Sequence, residues 1–307
     1  MHFTRKHRSA RAALFGSALA AGLGATPLAA APIIGVAGPN TLIGFDSTAP
    51  SAVTSTLTVT GLNGDPIRGI DTRPATGQLY ALGQSGSLFT IDTGTGAATR
   101  VAGPAVPVTG SDLDLGVGFN PVPGALRVVT ATDQNLRVNV TTGVTAVDGP
   151  LAFAAGDPNA GANPLVTAVA YTNQVPGVVT STTLYGIDAG TGSLVLQNPP
   201  NNGTLTTIGS LGLGLFANGT GVGFDIDGAT GDAFASLTTL TGANALYSID
   251  LTTGAASLLG AFGNNSLRDI ATGQLGPVAV PEPASMALLG MGLLGLAMAR
   301  RRRGGRA

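Results

Sequence analysis

The chain has 307 residues, with 15 Lys and Arg against 16 Asp and Glu, a formal net charge of −1 and no cysteine. Disulfides and thiol chemistry are therefore excluded. The charge is unevenly spread: residues 31–276 hold six arginines against 15 aspartates, about −9, a balance that repels phosphate backbones and excludes nucleic-acid binding. This middle span also lacks His, Lys and Glu, which removes the usual general base, the Schiff-base amine and the common zinc ligands.

Taken in chain order, residues 1–30 begin with Arg5, Lys6, Arg8 and Arg11, continue through an apolar run from Ala12 to Leu23 and end in small residues. That layout is a secretory signal peptide, and signal peptidase is the expected partner. Cleavage is expected after Ala30, because Pro32 disfavours a cut after Ala31.

Residues 31–276 are read as one repetitive domain. One element recurs five times: LIGFDSTA from Leu42, LFTIDTGTG from Leu88, LRVNVTTG from Leu136, LYGIDAGTG from Leu184 and LYSIDLTTG from Leu246. Apolar residues alternating with small or polar ones give strand periodicity. The Asp or Asn then ends the strand by accepting N–H groups two or three residues on, and the glycine supplies positive φ. Asp46, Asp92, Asn139, Asp188 and Asp250 are thus read as turn formers.

A second element precedes the first: IRGIDTRPATGQLYAL, LGVGFNPVPGALRVV, VTAVAYTNQVPGVV and GVGFDIDGATGDAFASL, each a strand, a turn and a strand. Ile70, Val117, Val169 and Val222 are placed in register, with repeats of about 47 to 53 residues. A fourth strand follows each Asp turn. Four strands at that period predict an all-β protein, a β-propeller of five four-stranded blades. The first blade lacks its inner strand, and LRDIATG (Leu267 to Gly273) supplies it, closing the ring and removing sheet edges. Six blades are the alternative, should LVLQNPPNNG hide extra strands; a β-solenoid is the other.

The C-terminal end divides into a linker (277–283) with Pro281, Glu282 and Pro283, an apolar stretch (284–299) and a basic tail (300–307) carrying Arg300, Arg301, Arg302 and Arg303. The apolar stretch is about 24 Å long as a helix, slightly short for a bilayer core of about 30 Å. Its Met and Leu residues point all round the helix, as a lipid-facing transmembrane segment requires, and the arginines after it stay cytoplasmic. A permanent anchor is the alternative, but it gives the Pro-Glu-Pro no purpose.

The tail resembles the PEP-CTERM sorting signal. The span from Ile33 to Gly273 is similar to an uncharacterised family of exported bacterial domains, which implies a propeller and extracellular life but no activity. The tail implies an exosortase-type partner, a Gram-negative host that often makes exopolysaccharide, an inner-membrane-tethered intermediate, and a final place on the cell surface or in the matrix.

Two acidic clusters remain. DIDGATGD, with Asp225, Asp227 and Asp232, resembles the start of a calcium loop but lacks the closing Glu of an EF-hand; it is read as a strand turn, with calcium as the alternative and no other cofactor expected. Asp112 and Asp114 in SDLDLG are read as a solvated turn, with a pore-facing site as the alternative. The functional expectation is a non-catalytic surface or matrix scaffold that meets polysaccharide or another protein. The rival is a propeller glycan hydrolase or lyase using aspartates.

Overall fold

The computed structural model describes residues 29–109, 115–214 and 221–276. The first sheet begins with β1 (Pro32–Val36), β2 (Thr41–Asp46) and β3 (Ser55–Thr58). The second holds β4 (Ile67–Arg73), β5 (Gln78–Gly83), β6 (Leu88–Ile91) and β7 (Ala98–Arg100). The third holds β8 (Leu115–Asn120), β9 (Ala125–Thr130), β10 (Asn135–Val138) and β11 (Thr145–Val147). The fourth is β13 (Val166–Tyr171), β14 (Leu184–Asp188), β15 (Ser193–Gln197) and β16 (Thr204–Ser210), and a short β12 (Ala152–Phe153) from the preceding connection pairs parallel with β16 as a fifth, outermost strand. The fifth is β17 (Gly223–Ile226), β18 (Ala233–Thr238), β19 (Asn244–Ile249) and β20 (Ala256–Ala261). Last, β21 (Ile270–Thr272) pairs antiparallel with β1, Ile33 opposite Thr272, and completes the first sheet. The inner strands β21, β4, β8, β13 and β17 touch in a closed circle. The fold is a five-bladed β-propeller closed by its C-terminal strand.

Side chains alternate across a strand, so each blade presents one apolar face to each neighbour. The core accordingly divides into five clusters, one at each blade boundary. The first and fifth blades meet through Phe45 and Phe262, edge to face at 5.4 Å, and the second and third through Tyr80 and Phe119 at 5.1 Å; such pairs add about 1 kcal/mol beyond area burial. Outer strands are wetter, alternating half-buried and exposed in β3 and largely exposed in β7.

Five blades make a narrow ring, and the inner strands approach backbone to backbone. A Cβ on Gly116 would lie 2.8 Å from Ala168 Cα, and one on Gly223 would lie 2.6 Å from Ile270 N. At the rim, the end of each outer strand abuts the third-to-fourth-strand turn of the next blade. Thr60 donates to the Gly96 carbonyl at 2.9 Å, Gly149 to the Asn201 carbonyl at 2.9 Å, and Gly260 sits against Pro50. Gly143 and Gly254 adopt φ of +72° and +80°, and a side chain on either would collide with the preceding blade's backbone. The glycine of the repeated turn is thus a seat for the neighbouring blade as well as a reversal point.

Two expectations of register change. LYGID forms β14, the second strand of the fourth blade, whereas the matching element is the third strand in the other four. The fourth blade's third strand is LVLQ in β15, followed by a 3-10 turn, Pro200–Asn202. So LVLQNPPNNG hides one strand and no sixth blade. PGVV is not a strand, because Gly177 has φ of +102° and the loop 172–183 carries no ladder. In addition, Phe224 and not Val222 shares the level of Ile70 and Val117: the hairpins after Arg73, Asn120 and Asp227 are equivalent, each closed by an N–H four residues on.

Candidate functional site

The repeated turns have a common geometry. Asp92 Oδ1 accepts from Gly94 N (2.8 Å) and Thr95 N (3.0 Å), Asn139 Oδ1 from Thr141 N (3.0 Å) and Thr142 N (3.1 Å), and Asp250 Oδ1 from Thr252 N (2.8 Å) and Thr253 N (3.2 Å). Asp46 Oδ1 accepts from Thr48 N and Oγ1. The backbone N–H bonds hold the Asp92 carboxyl below the ordinary range, and the Thr252 hydroxyl, donating to Asp250 Oδ1 at 2.6 Å, joins them in lowering Asp250 and is the largest influence there. Asp188 differs. It is buried, accepts from Thr191 N (2.9 Å) and Leu165 N (3.3 Å), and burial raises its carboxyl.

Of the calcium candidates, Asp227 Oδ1 caps its own turn, accepting from Ala229 N and Thr230 N, while Asp232 lies at the far end of that turn. Asp225 points elsewhere, into the next blade. Among the described residues, no group of three or more carboxylates is arranged to hold a metal ion. Asp112 and Asp114 lie outside the described residues.

The sequence reading missed the principal acidic feature. The innermost strand of each blade has one edge turned to the axis, where its N–H groups lack a strand partner. Three carboxylates supply acceptors. Asp225 Oδ2, on β17, takes Thr272 N (2.6 Å) and Thr272 Oγ1 (2.8 Å). Asp269 Oδ2, just before β21, takes Ile70 N at 2.8 Å, and Asp71 Oδ2, on β4, takes Phe119 N at 2.5 Å. Each tie runs from one blade to the next, so the three join blades five, one, two and three.

All three aspartates are buried, each 4% exposed. Desolvation is the largest influence on each and raises all three; Asp225 reaches about 6. The Asp225 charge further raises Asp71 and Asp269, while backbone N–H bonds pull the other way. The signal for these residues was an acid inside an apolar strand, as in RGID, GFD and RDI.

Blades three and four are joined differently. Arg127, on β9 and 1% exposed, donates to Asp148 (2.6 Å), Asn135 (2.7 Å) and Asn201 (2.7 Å). Arg137 holds the same Asp148 at 2.8 Å. Burial works to raise the Asp148 carboxyl, but the hydrogen bonds from Arg137 and Arg127 outweigh it and the net direction is downward. The Arg127 guanidinium and the Asp148 carboxylate are both occupied by protein, which makes the network a brace.

The described ends of the chain meet on one face. Call the face where the inner strands begin the upper face and the face where they end the lower. β1 starts, and β21 stops, at the lower face, and Gly273 N donates to the Pro32 carbonyl at 2.9 Å. The chain is then strapped across to the second blade. Leu275 packs on the core between blades one and two, Gly276 N donates to Thr93 O at 2.9 Å, and Thr93 Oγ1 donates to Gly276 O at 2.5 Å. A groove of about 380 Å³ runs beside this strap, lined by Ile33, Phe45, Thr54 and Gln274.

Residues 41–271 match the family described as domain of unknown function DUF4394. The chain belongs to the DUF4394 family. Residues 279–303 match the PEP-CTERM protein-sorting motif, so this DUF4394 member is an exported protein with a C-terminal sorting signal. Pro281, Glu282, Pro283 and Arg300 to Arg303 fall within that match and outside the described residues. Among the described residues no helix is long and apolar enough to cross a membrane; the stretch 284–299 is not among them.

No curated protein matches the chain. Among solved structures, it is similar to a structural-genomics protein of unknown function from Bacteroides thetaiotaomicron VPI-5482, at 15% identity and TM-score 0.48, over 82% of this chain and 66% of that one. It is also similar to a chain of a nidogen/laminin complex, at 11% and 0.45, over 80% and 99%. A third is TolB from Acinetobacter baumannii, at 13% and 0.44, over 75% and 53%. The chain thus spans less than two thirds of the first and about half of the third.

Proposed function

We propose that the mature protein is a non-catalytic scaffold, a propeller delivered by an exosortase-type enzyme to the cell surface or matrix, where it meets polysaccharide or another surface protein. The observation that carries this reading is the sorting motif at residues 279–303, on a domain whose axial aspartates Asp71, Asp225 and Asp269 are engaged by backbone N–H groups of the next blade. A catalytic acid needs a lone pair or a proton aimed at substrate; Asp71, Asp225 and Asp269 aim theirs at their own chain. The absence of Trp and the burial of Tyr80, Tyr171 and Tyr247 leave few aromatic platforms for sugar, so a protein or polysaccharide partner would be met by loops.

The second reading, a glycan hydrolase or lyase, is favoured by one observation: Asp225 is raised to about 6, as a general acid would be. It requires that Asp225→Asn abolish an activity without unfolding the blade.

The test is the intact mass of the protein recovered from its producing bacterium. Loss of residues 1–30 and of the chain beyond the Pro-Glu-Pro is expected, with any added mass at the new C-terminus naming its attachment. A full-length C-terminus in the membrane fraction would overturn sorting in favour of a permanent anchor.

A further inference from the structure

We infer that, while its tail is still in the membrane, the propeller is held with its lower face toward the bilayer and its upper face outward. The inference rests on the reading of residues 284–299 as a membrane segment, and adds to it which surface the protein offers while tethered.

The argument is one of reach. The chain leaves the propeller at Gly276, fixed to Thr93 by two hydrogen bonds and preceded by the partly buried Leu275 packed on the core, so no slack is available upstream. From Gly276 to Ala284, eight residues fully extended cover at most about 28 Å. Strands of six residues, such as β8 and β18, separate the two faces by about 20 Å. A linker starting on the lower face and rounding the rim would spend most of its length before it reached the level of the upper face. It would then have nothing left to let the loops of that face clear the headgroups. With the lower face down, the same linker reaches the bilayer with length to spare.

Adhesion does not supply the orientation. The lower-face turns carry Asp46, Asp92, Asp227, Asp232 and Asp250, which oppose adsorption to an anionic leaflet. Nor is the N-terminal end an obstacle, since Pro32 sits beside Gly273 on the same lower face. The upper face, where β4 and β21 begin beside Arg68 and Arg268, is therefore the one shown to a partner before the tail is cut.

The chain has no cysteine, so single cysteines report position cleanly. Ala229 and Ala243 are exposed and lie on the fifth blade, the first in the lower β17–β18 turn and the second in the upper β18–β19 turn. Val122 and Thr132 form the same kind of pair on the third blade. Residues 31–307 carrying Ala229→Cys, Ala243→Cys, Val122→Cys or Thr132→Cys would be labelled with a donor dye. Each would be reconstituted into phosphatidylethanolamine–phosphatidylglycerol vesicles containing an acceptor lipid. Energy transfer about twofold higher from each lower-face site than from its upper partner is expected, given the separation of about 20 Å. Equal transfer within both pairs, or higher transfer from the upper sites, would overturn the orientation. Failure of the protein to float with the vesicles would instead overturn the membrane reading beneath it.

Discussion

Around the axis, blades five, one, two and three are joined by buried carboxylates that accept backbone N–H groups, whereas blades three and four are joined by a guanidinium held in an ion pair with Asp148. The difference follows from what each group can do when water is removed. A carboxylate can take up a proton, and Asp71, Asp225 and Asp269 are accordingly raised. Arginine keeps its charge throughout the accessible pH range, so Arg127 needs Asp148 beside it, and Asp148 is driven downward. The first arrangement is strongest in mild acid and the second is indifferent to it.

The largest way to break that contrast is Asp148→Asn. It leaves Arg127 buried without an anion and is expected to cost about 3–5 kcal/mol, read as a lower urea midpoint at pH 7. A loss below 1 kcal/mol would mean that Asn135, Asn201 and water suffice to hold the Arg127 guanidinium. The next test is pH. A group whose folded pKa lies above its unfolded value of about 3.9 binds its proton more tightly in the folded state, so its contribution is lost as pH rises. For Asp225, near 6, the protein is expected to be on the order of 1.5 kcal/mol more stable at pH 5 than at pH 7.5, and Asp225→Asn should flatten that slope. The Asp148 tie, lowered in the folded state, is lost only as pH falls below the ordinary carboxylate range. A wild-type melting temperature that rises steadily from pH 5 to 7.5 would contradict the assignment. The smallest effect sharpens the comparison from outside it. Asn139→Ala, in a turn that belongs to neither tie, is expected to cost about 1 kcal/mol, equally at both pH values.

Most of the architecture could be read from the chain because it is repeated. Blade number, the closing strand and the sorting tail each rest on a pattern with several copies or several parts. The errors came where a local signal has more than one place in a blade. LYGIDAGTG encodes a strand and an Asp turn wherever it sits; it is the second strand of its blade because LVLQ, the next strand-forming run, pairs beside it and takes the third place. The loop 172–183 misled through its valines, with Pro176 and Gly177 winning over β propensity. Asp71 and Asp269 escaped because charge was sought in turns. Their purpose appears only when five unpaired strand edges are brought to one axis, which no single repeat contains.

The strand that closes the ring is also the last piece of the propeller to be made. β1, β2 and β3 wait as an incomplete sheet until Ile270 to Thr272 arrive, and those residues lie a few positions ahead of the sorting motif at 279. A chain made from its N-terminus therefore cannot close the ring until synthesis has all but reached the sorting motif. Until then β1 keeps an unpaired edge, which is where a chain cut short of Ile270 would be open to proteases and to pairing with other chains.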